Sequence, residues 1–594
     1  MLIYRDDHRR VRTADALARV ADRRGAADPE AALSFFIDVA ELEAAVVDAL
    51  SPERDALDPI ARAMRDATRA AAGEVRLPDG RLIGDDDADT RQGSDARTAV
   101  RQAIDFISRE PLPDTLPMRV SEGYAYYALF PETYAFSADR FWTAVRPARM
   151  AVIGIRSIGT GLSAIVAERL RAKGCETWSC TVRPRGHPFD RRLALRHDVE
   201  DAWRLEADRG SVFAVVDEGP GLSGSSFAAV VEAIERFGVA GDRIVLFPSW
   251  DPDPARLKSE RARTVWEHHV RWCTDARETG LTPSQLCEMR DDWIDFAAGA
   301  WRATICGDER NWPAAHPQHE RWKIAAPRER RIVRFAGLGR YGTAARDRAA
   351  ALCDLGVGAP PGPLRHGFLE LPFVPGTPLA ACGSVSDAVA VGTYLGTVAR
   401  AFPRQEPADA AALAQVIETN LRELVGDDAV RRVDLLVNEA PRDLPSAYID
   451  GRMLAHEWIR ADASDRRHTS DARRPGGANG LVKVDALDHA RDHFYPGPQS
   501  PAWDLAAASL ELGMDGAEEL AMLDAFERVS RDRRARDALA FYKIAYAAFR
   551  GGYASMAADS LAGGSEGQRF ARVRDGWRRY LESALARRLT PSAP

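Results

Sequence analysis

Two short stretches carry the residues best placed to do chemistry. In SVFAVVDEGPGLSGSS, Ser211 to Ser226, an apolar run ends on Asp217 and Glu218 and passes into glycines and hydroxyls. Adjacent carboxylates at a strand end can accept hydrogen bonds from a vicinal diol and help to organise Mg²⁺. Ser223, Gly224, Ser225 and Ser226 then precede a helical pattern, so N–H groups, hydroxyls and a helix N-terminus converge on an anion. A sugar diol beside a monophosphate suits both halves. In LVKVDALDHARDHFYPGPQSPAWDLA, Leu481 to Ala506, a second apolar run ends on Asp485, and a glycine-containing loop leads to Asp504 at the start of a helix.

The elements that must position these groups follow from hydrophobic spacing. MAVIGI, ETWSCTV, SVFAVV and DRIVLFPSW read as strands, and GLSAIVAERLRAKG and SFAAVVEAIERFG between them read as helices. Alternation at this length predicts a parallel α/β sheet covered on both faces. In such a sheet ligands sit beyond the carboxyl ends of the strands, where Asp217 and Glu218 fall. Upstream, AALSFFIDVAELEAAVVDAL and IARAMRDATRAAAG have helical spacing, followed by a turn and an acidic run read as solvated loop. Downstream, RRIVRFAG and GFLELPFV read as strands around the helix TAARDRAAALCDLG, and the C-terminal third is mostly amphipathic helix. The basic segment DRRHTSDARRPGGANG reads as a mobile loop. GLGRYG reads as a turn, and HPQH is too isolated to be a metal site.

Composition bounds the function. The 594 residues exceed one core, and a net charge of -7 argues against a general nucleic-acid binder or a polybasic membrane protein. No apolar run reaches membrane-spanning length and no signal-peptide core opens the chain, so the expected location is the cytoplasm. Seven scattered cysteines form no disulfide framework and no metal knuckle. Lysine is scarce among the 81 basic residues, which narrows the choice of a phosphate-binding lysine.

The first stretch resembles the signature of type I phosphoribosyltransferases over about residues 117–255. That resemblance implies phosphoribosyl pyrophosphate (PRPP) as substrate, with Asp217 and Glu218 on the ribose and Ser223 to Ser226 on the 5-phosphate. It also implies pyrophosphate held by the loop after the earlier strand, at Arg156, Ser157 and Gly159. The loop here is one residue longer than the usual form, and serines replace threonines. GTGLSA also fits a dinucleotide-binding pattern, but the next strand ends on Arg183 and Pro184 where that pattern needs an acid. RPRGHPFDRR, between the two motifs, reads as a solvated basic loop; its alternative is a cover over the reaction centre.

The second stretch resembles the core of aminoglycoside-phosphotransferase-like kinases over about 316–594. The resemblance implies ATP and Mg²⁺, Asp485 as a metal ligand and Asp504 as a brace. Arg334 paired with Asp347 would take the place of the usual lysine and glutamate on the nucleotide phosphates. No HGDxxxxN is present; YIDGRMLAHEWIR offers Asp450 as catalytic base and His456 or Glu457 as metal ligand.

The expected fold class is α/β: a helical segment (1–116), a parallel-sheet phosphoribosyltransferase-like domain (117–255), a helical connection (256–315) and a two-lobed α+β kinase-like domain (316–594). The expected function is a bifunctional PRPP-dependent transferase and small-molecule kinase. The alternative is a PRPP or nucleotide sensor or scaffold with a degenerate kinase domain. The N-terminal helices are the expected docking surface for a partner protein or a second copy.

Overall fold

The computed structural model describes residues 1–4, 9–21, 29–85, 96–290, 292–427, 429, 442–462, 480–487 and 489–587. The acidic run from residue 86 and nearly all of the basic loop 465–480 lie outside them. Among the described residues no helix is long and apolar enough to cross a membrane.

Strand β1 (Arg9–Arg12) pairs antiparallel with β2 (Thr115–Met118). Helices Pro29–Leu50 and Pro59–Gly73 lie between them in sequence. Asp58 caps the second helix by accepting from Ala61 N at 2.8 Å, with Pro59 at the first helical position. Both helices pack on helix Ile158–Ala172 and share its core, so they are built onto the next unit.

Strands β3 (Arg149–Ile155), β4 (Glu176–Val182), β5 (Val212–Val216), β6 (Ile244–Phe247) and β7 (Val270–Arg271) form a parallel sheet in the order β4-β3-β5-β6-β7. Their near-continuous apolarity has a physical reason. Met150, Val152, Ala214 and Val216 face the helix Ile158–Ala172 and the N-terminal helices, while Ala151, Ile153, Phe213 and Val215 face Trp203, Phe227 and Trp266. From β3 the chain crosses to β4 on one side and then to β5 on the other. That order opens a crevice at the carboxyl ends of β3 and β5.

The second half begins earlier than the sequence suggests. β8 (Ile294–Asp295), β9 (Lys323–Ala326), β10 (Arg331–Phe335), β11 (Leu364–Arg365) and β12 (Phe368–Pro372) form an antiparallel sheet in the order β11-β12-β10-β9-β8. The stretch 256–315 therefore contributes β7 to one sheet and β8 to the other, and is more than a helical connection. A small antiparallel sheet of β13 (Gly376–Pro378), β14 (Trp458–Ala461) and β15 (Leu481–Lys483) leads into a helical lobe. In that lobe helix Val385–Ala401 lies so close to Gly516–Ser530 that a Cβ on Gly392 would clash with Met522 O.

The halves share a core. Phe130 packs edge-on against Phe335 at 6.0 Å between ring centroids, and Phe335, Leu338 and Phe368 belong to the same apolar cluster as Val216 and Phe247. Leu338 N donates to Tyr124 O at 2.8 Å, and Tyr126 Oη donates to Arg491 O at 2.5 Å.

Candidate functional sites

The first site lies at the crevice between β3 and β5. Asp217 and Glu218 follow β5, and their carboxylates accept from backbone N–H groups: Asp217 from Glu218 and Gly159, Glu218 from Gly123. Surrounded by protein, each is shifted upward by burial to about 8; Glu122 and Asp217 add like charge to the shift at Glu218. Arg183 and Arg191 act on Asp217 without offsetting its burial, and the oxygens of the pair suit Mg²⁺ or a diol. The loop leaving β3 is shaped to meet it. Ser157 has φ 145 and ψ -117, a strained conformation for a residue with a Cβ. A Cβ on Gly159 would lie 2.7 Å from Val216 O and 2.8 Å from Asp217 Oδ1. Gly159→Ala is therefore expected to displace Asp217 and to destabilise by about 1–3 kcal/mol, read as a lower denaturant midpoint.

Ser223 and Ser225 hydroxyls both donate to Pro188 O, at 2.8 and 2.7 Å, at the start of helix Ser225–Glu235. One acceptor oxygen thus sits where two hydroxyls converge, the arrangement a phosphate oxygen would use. Gly224 (φ 67) fixes the turn, and Ser226 stands in the first turn of the helix. The carbonyl comes from the basic segment Arg183 to Arg192, so that segment covers the hydroxyl loop. Arg191 in it is half-buried, with its guanidinium in the field of Asp217.

Arg156 needs correction. Its side chain is fully buried, pairs with Asp48 at 2.7 Å and with Asp55, and donates to Thr181 O at 3.1 Å. Both carboxylates come from the N-terminal segment, so Arg156 ties that segment to the sheet and is not free to meet a pyrophosphate.

The second site lies between the antiparallel sheet and the helical lobe. Asp504 accepts from the N–H of Asp450 at 2.8 Å and of Gly451 at 2.9 Å, fixing the loop that presents Asp450. The Asp450 carboxylate is fully buried: Tyr394 Oη donates at 2.6 Å, His489 Nδ1 lies at 3.3 Å and Lys483 Nζ at 3.4 Å. Burial alone would raise this carboxyl, but Lys483 and His489 outweigh it and hold it low. Asp504 is pushed up by burial and by the Asp450 charge.

Asp485, at φ 58, is paired with Arg334 and, at 2.9 Å, with Arg452. Glu457 accepts from Arg452 Nε at 2.6 Å and from Lys483 Nζ at 3.1 Å. Glu457, Asp485 and His489 have ligand atoms within 4.8 Å of one another, the spacing of a metal site. The charges do not fit a divalent ion as they stand, because Arg334, Arg452 and Lys483 already neutralise Asp450, Glu457 and Asp485. The cavity there is about 40 Å³, closed on one side by Tyr126 and Tyr127 from the first half. A nucleotide needs about ten times that volume.

Two further expectations are corrected. Asp347 is exposed on helix Arg340–Asp354 and pairs with its neighbour Arg346 at 3.1 Å, not with Arg334. The next residue explains this: Arg348 points inward and donates to Ala486 O, Tyr448 O and Ile449 O, and successive helical side chains diverge by about 100°. His456 is stacked on Trp301 at 4.8 Å and burial lowers it to about 4, while His489 stands in the donor group. Lys483, Arg452 and Tyr394 were not anticipated. A signal existed for Lys483: it is one of few lysines in the chain and ends β15 two residues before Asp485.

No family model and no curated protein matches the chain. Solved structures similar to it include choline kinase LicA from Streptococcus pneumoniae (14% identity, 45% of this chain and 89% of that chain, TM-score 0.31). Spectinomycin phosphotransferase APH(9)-Ia, solved with ADP and spectinomycin, is 10% identical over 49% of this chain and 92% of that chain, with a TM-score of 0.33. An aminoglycoside phosphotransferase from Alicyclobacillus acidocaldarius is 14% identical over 45% and 90%, with a TM-score of 0.28.

Proposed function

We propose that the chain is a two-site transferase acting on a phosphoribosylated metabolite. The crevice at β3 and β5 takes a PRPP-type phosphosugar, and the cleft at Asp450 and Asp485 takes the phosphates of ATP for transfer to a small-molecule hydroxyl. The observation that carries the first half is the pairing of two adjacent buried acids with two hydroxyls converging on one oxygen at a helix N-terminus. In this reading Asp217 and Glu218 hold the ribose diol, Ser223 and Ser225 exchange Pro188 O for a phosphate oxygen, and Arg191 answers the charge of the leaving pyrophosphate. In the second half the Asp504-braced loop supports the role of Asp450 in orienting a hydroxyl, and Arg334 and Arg452 turn from Asp485 to the nucleotide phosphates.

A second reading, nucleotide sensing without phosphoryl transfer, is favoured by the closure of Asp450 under Lys483 and Tyr394 and by the small cavity. One paired assay separates them: pyrophosphate release from PRPP and ADP release from ATP, each with Mg²⁺ and a pool of bases and nucleosides. Asp217→Ala is expected to abolish only the first and Asp485→Ala only the second. ATP that protects against heat without forming ADP makes the second site a sensor. PRPP that neither binds nor turns over removes the phosphosugar assignment.

A further inference from the structure

The second site holds a cation that its own acids do not claim. Arg334 is paired with Asp485, Arg452 with Asp485 and Glu457, and Lys483 with Asp450 and Glu457. Lys323 lines the same cavity, half-buried, and among the described residues no carboxylate oxygen lies within ion-pair distance of its Nζ. Glu320, three residues before it, is committed elsewhere: its carboxylate accepts from Gly299 N at 2.7 Å and from Trp301 Nε1 at 3.0 Å. What Lys323 does meet is the face of Trp301, with Nζ 5.9 Å from the ring centroid, at the outer limit of a cation–π contact.

Its place follows from the strand. Lys323 opens β9 directly opposite Arg334 on β10, so the two side chains leave the same face of the sheet. Ile324 takes the other face and joins the core shared by the two halves. Alternation thus aims Lys323 where Arg334 already points, at the cavity that Asp485 and Arg452 line. Its field reaches Asp485 without a bridge to it. A phosphate can draw on Arg334 or Arg452 only by taking them from Asp485, and an acid left in a closed site without its partner is costly. Lys323 breaks no ion pair to meet the same phosphate.

We propose that Lys323 binds a phosphate of ATP in the second site, as the cation available before Arg334 or Arg452 leaves Asp485. The assignment rests on the nucleotide reading of that site. It places the first phosphate contact on β9, one strand away from Arg334, the residue that the sequence pattern singles out. The contact forms as the wall of Tyr126 and Tyr127 gives way, since the closed cavity is too small for the nucleotide.

The test is calorimetric titration of the full chain with ATP and with adenosine, each with Mg²⁺, comparing wild type with Lys323→Met and Lys323→Arg. Lys323→Met is expected to weaken ATP roughly ten- to a hundredfold, the scale of one hydrogen bond to a charged group, and to leave adenosine unchanged. Lys323→Arg is expected to recover most of the ATP affinity, because the guanidinium keeps the charge. The unfolding midpoint without ligand is expected to hold in both variants, since no ion pair is lost. A purely structural lysine would instead move the midpoint and leave the ratio of ATP to adenosine affinity alone. ATP bound equally by wild type and Lys323→Met, or ATP and adenosine weakened alike, overturns the assignment and leaves the nucleotide reading in place. A wild-type chain that binds neither ligand overturns the assignment and the nucleotide reading together.

Discussion

Lys483→Met is expected to destabilise the second half by about 3–5 kcal/mol, the scale for removing one partner from a buried charge network. Lys483 Nζ sits in a site closed to solvent, 3.4 Å from Asp450, 3.1 Å from Glu457 and 2.9 Å from Val484 O. Removing it leaves two carboxylates facing each other across an apolar stem. Burial alone would lower the lysine, yet the two acids hold it raised, so the charged form is the one the fold is built around. Asp450→Asn in the same chain takes away one orphaned charge, and the double variant is expected to lose less than the sum of the singles. Denaturant unfolding with a probe in the second half checks this. Additive losses would mean that Lys483 and Asp450 do not act as a pair.

Asp217→Asn combined with Glu218→Gln is expected to stabilise the protein at alkaline pH. Both acids are raised by burial to about 8, against an ordinary carboxyl value of about 4. Between these values the folded chain holds protons that the unfolded chain has released. Stability therefore falls as pH rises through that window, by up to about 1.4 kcal/mol per pH unit for each group, and levels off above the folded value. The amides remove the slope, so the variant gains most above pH 8 and nothing below pH 4. Unfolding midpoints measured across this range decide it, and a wild-type slope that persists in the variant would rule the acids out as its source.

Much of the first half was legible in the sequence, because a sheet buried on both faces writes itself as apolar runs and a strand end marks where its polar residues must point. Asp217, Glu218 and the hydroxyl loop followed from that alone. Arg156 did not, since its partners Asp48 and Asp55 lie 108 and 101 residues away and no local pattern announces them. Asp347 was misplaced by a single step of helical phase, with Arg348 taking the inward position. The wall that Tyr126 and Tyr127 raise against the second site was also invisible, because it comes from a segment whose spacing speaks only of its own half.

The apolar cluster that joins Phe130 and Val216 to Phe335 and Phe368 bears on what recombination could do to this protein. Cutting the chain after β7 would leave the first half with a bare aromatic face, prone to self-association. The second half is thus held in place by solubility. Even with its carboxylates matched to arginine and lysine, it goes on serving as the lid of its neighbour's core.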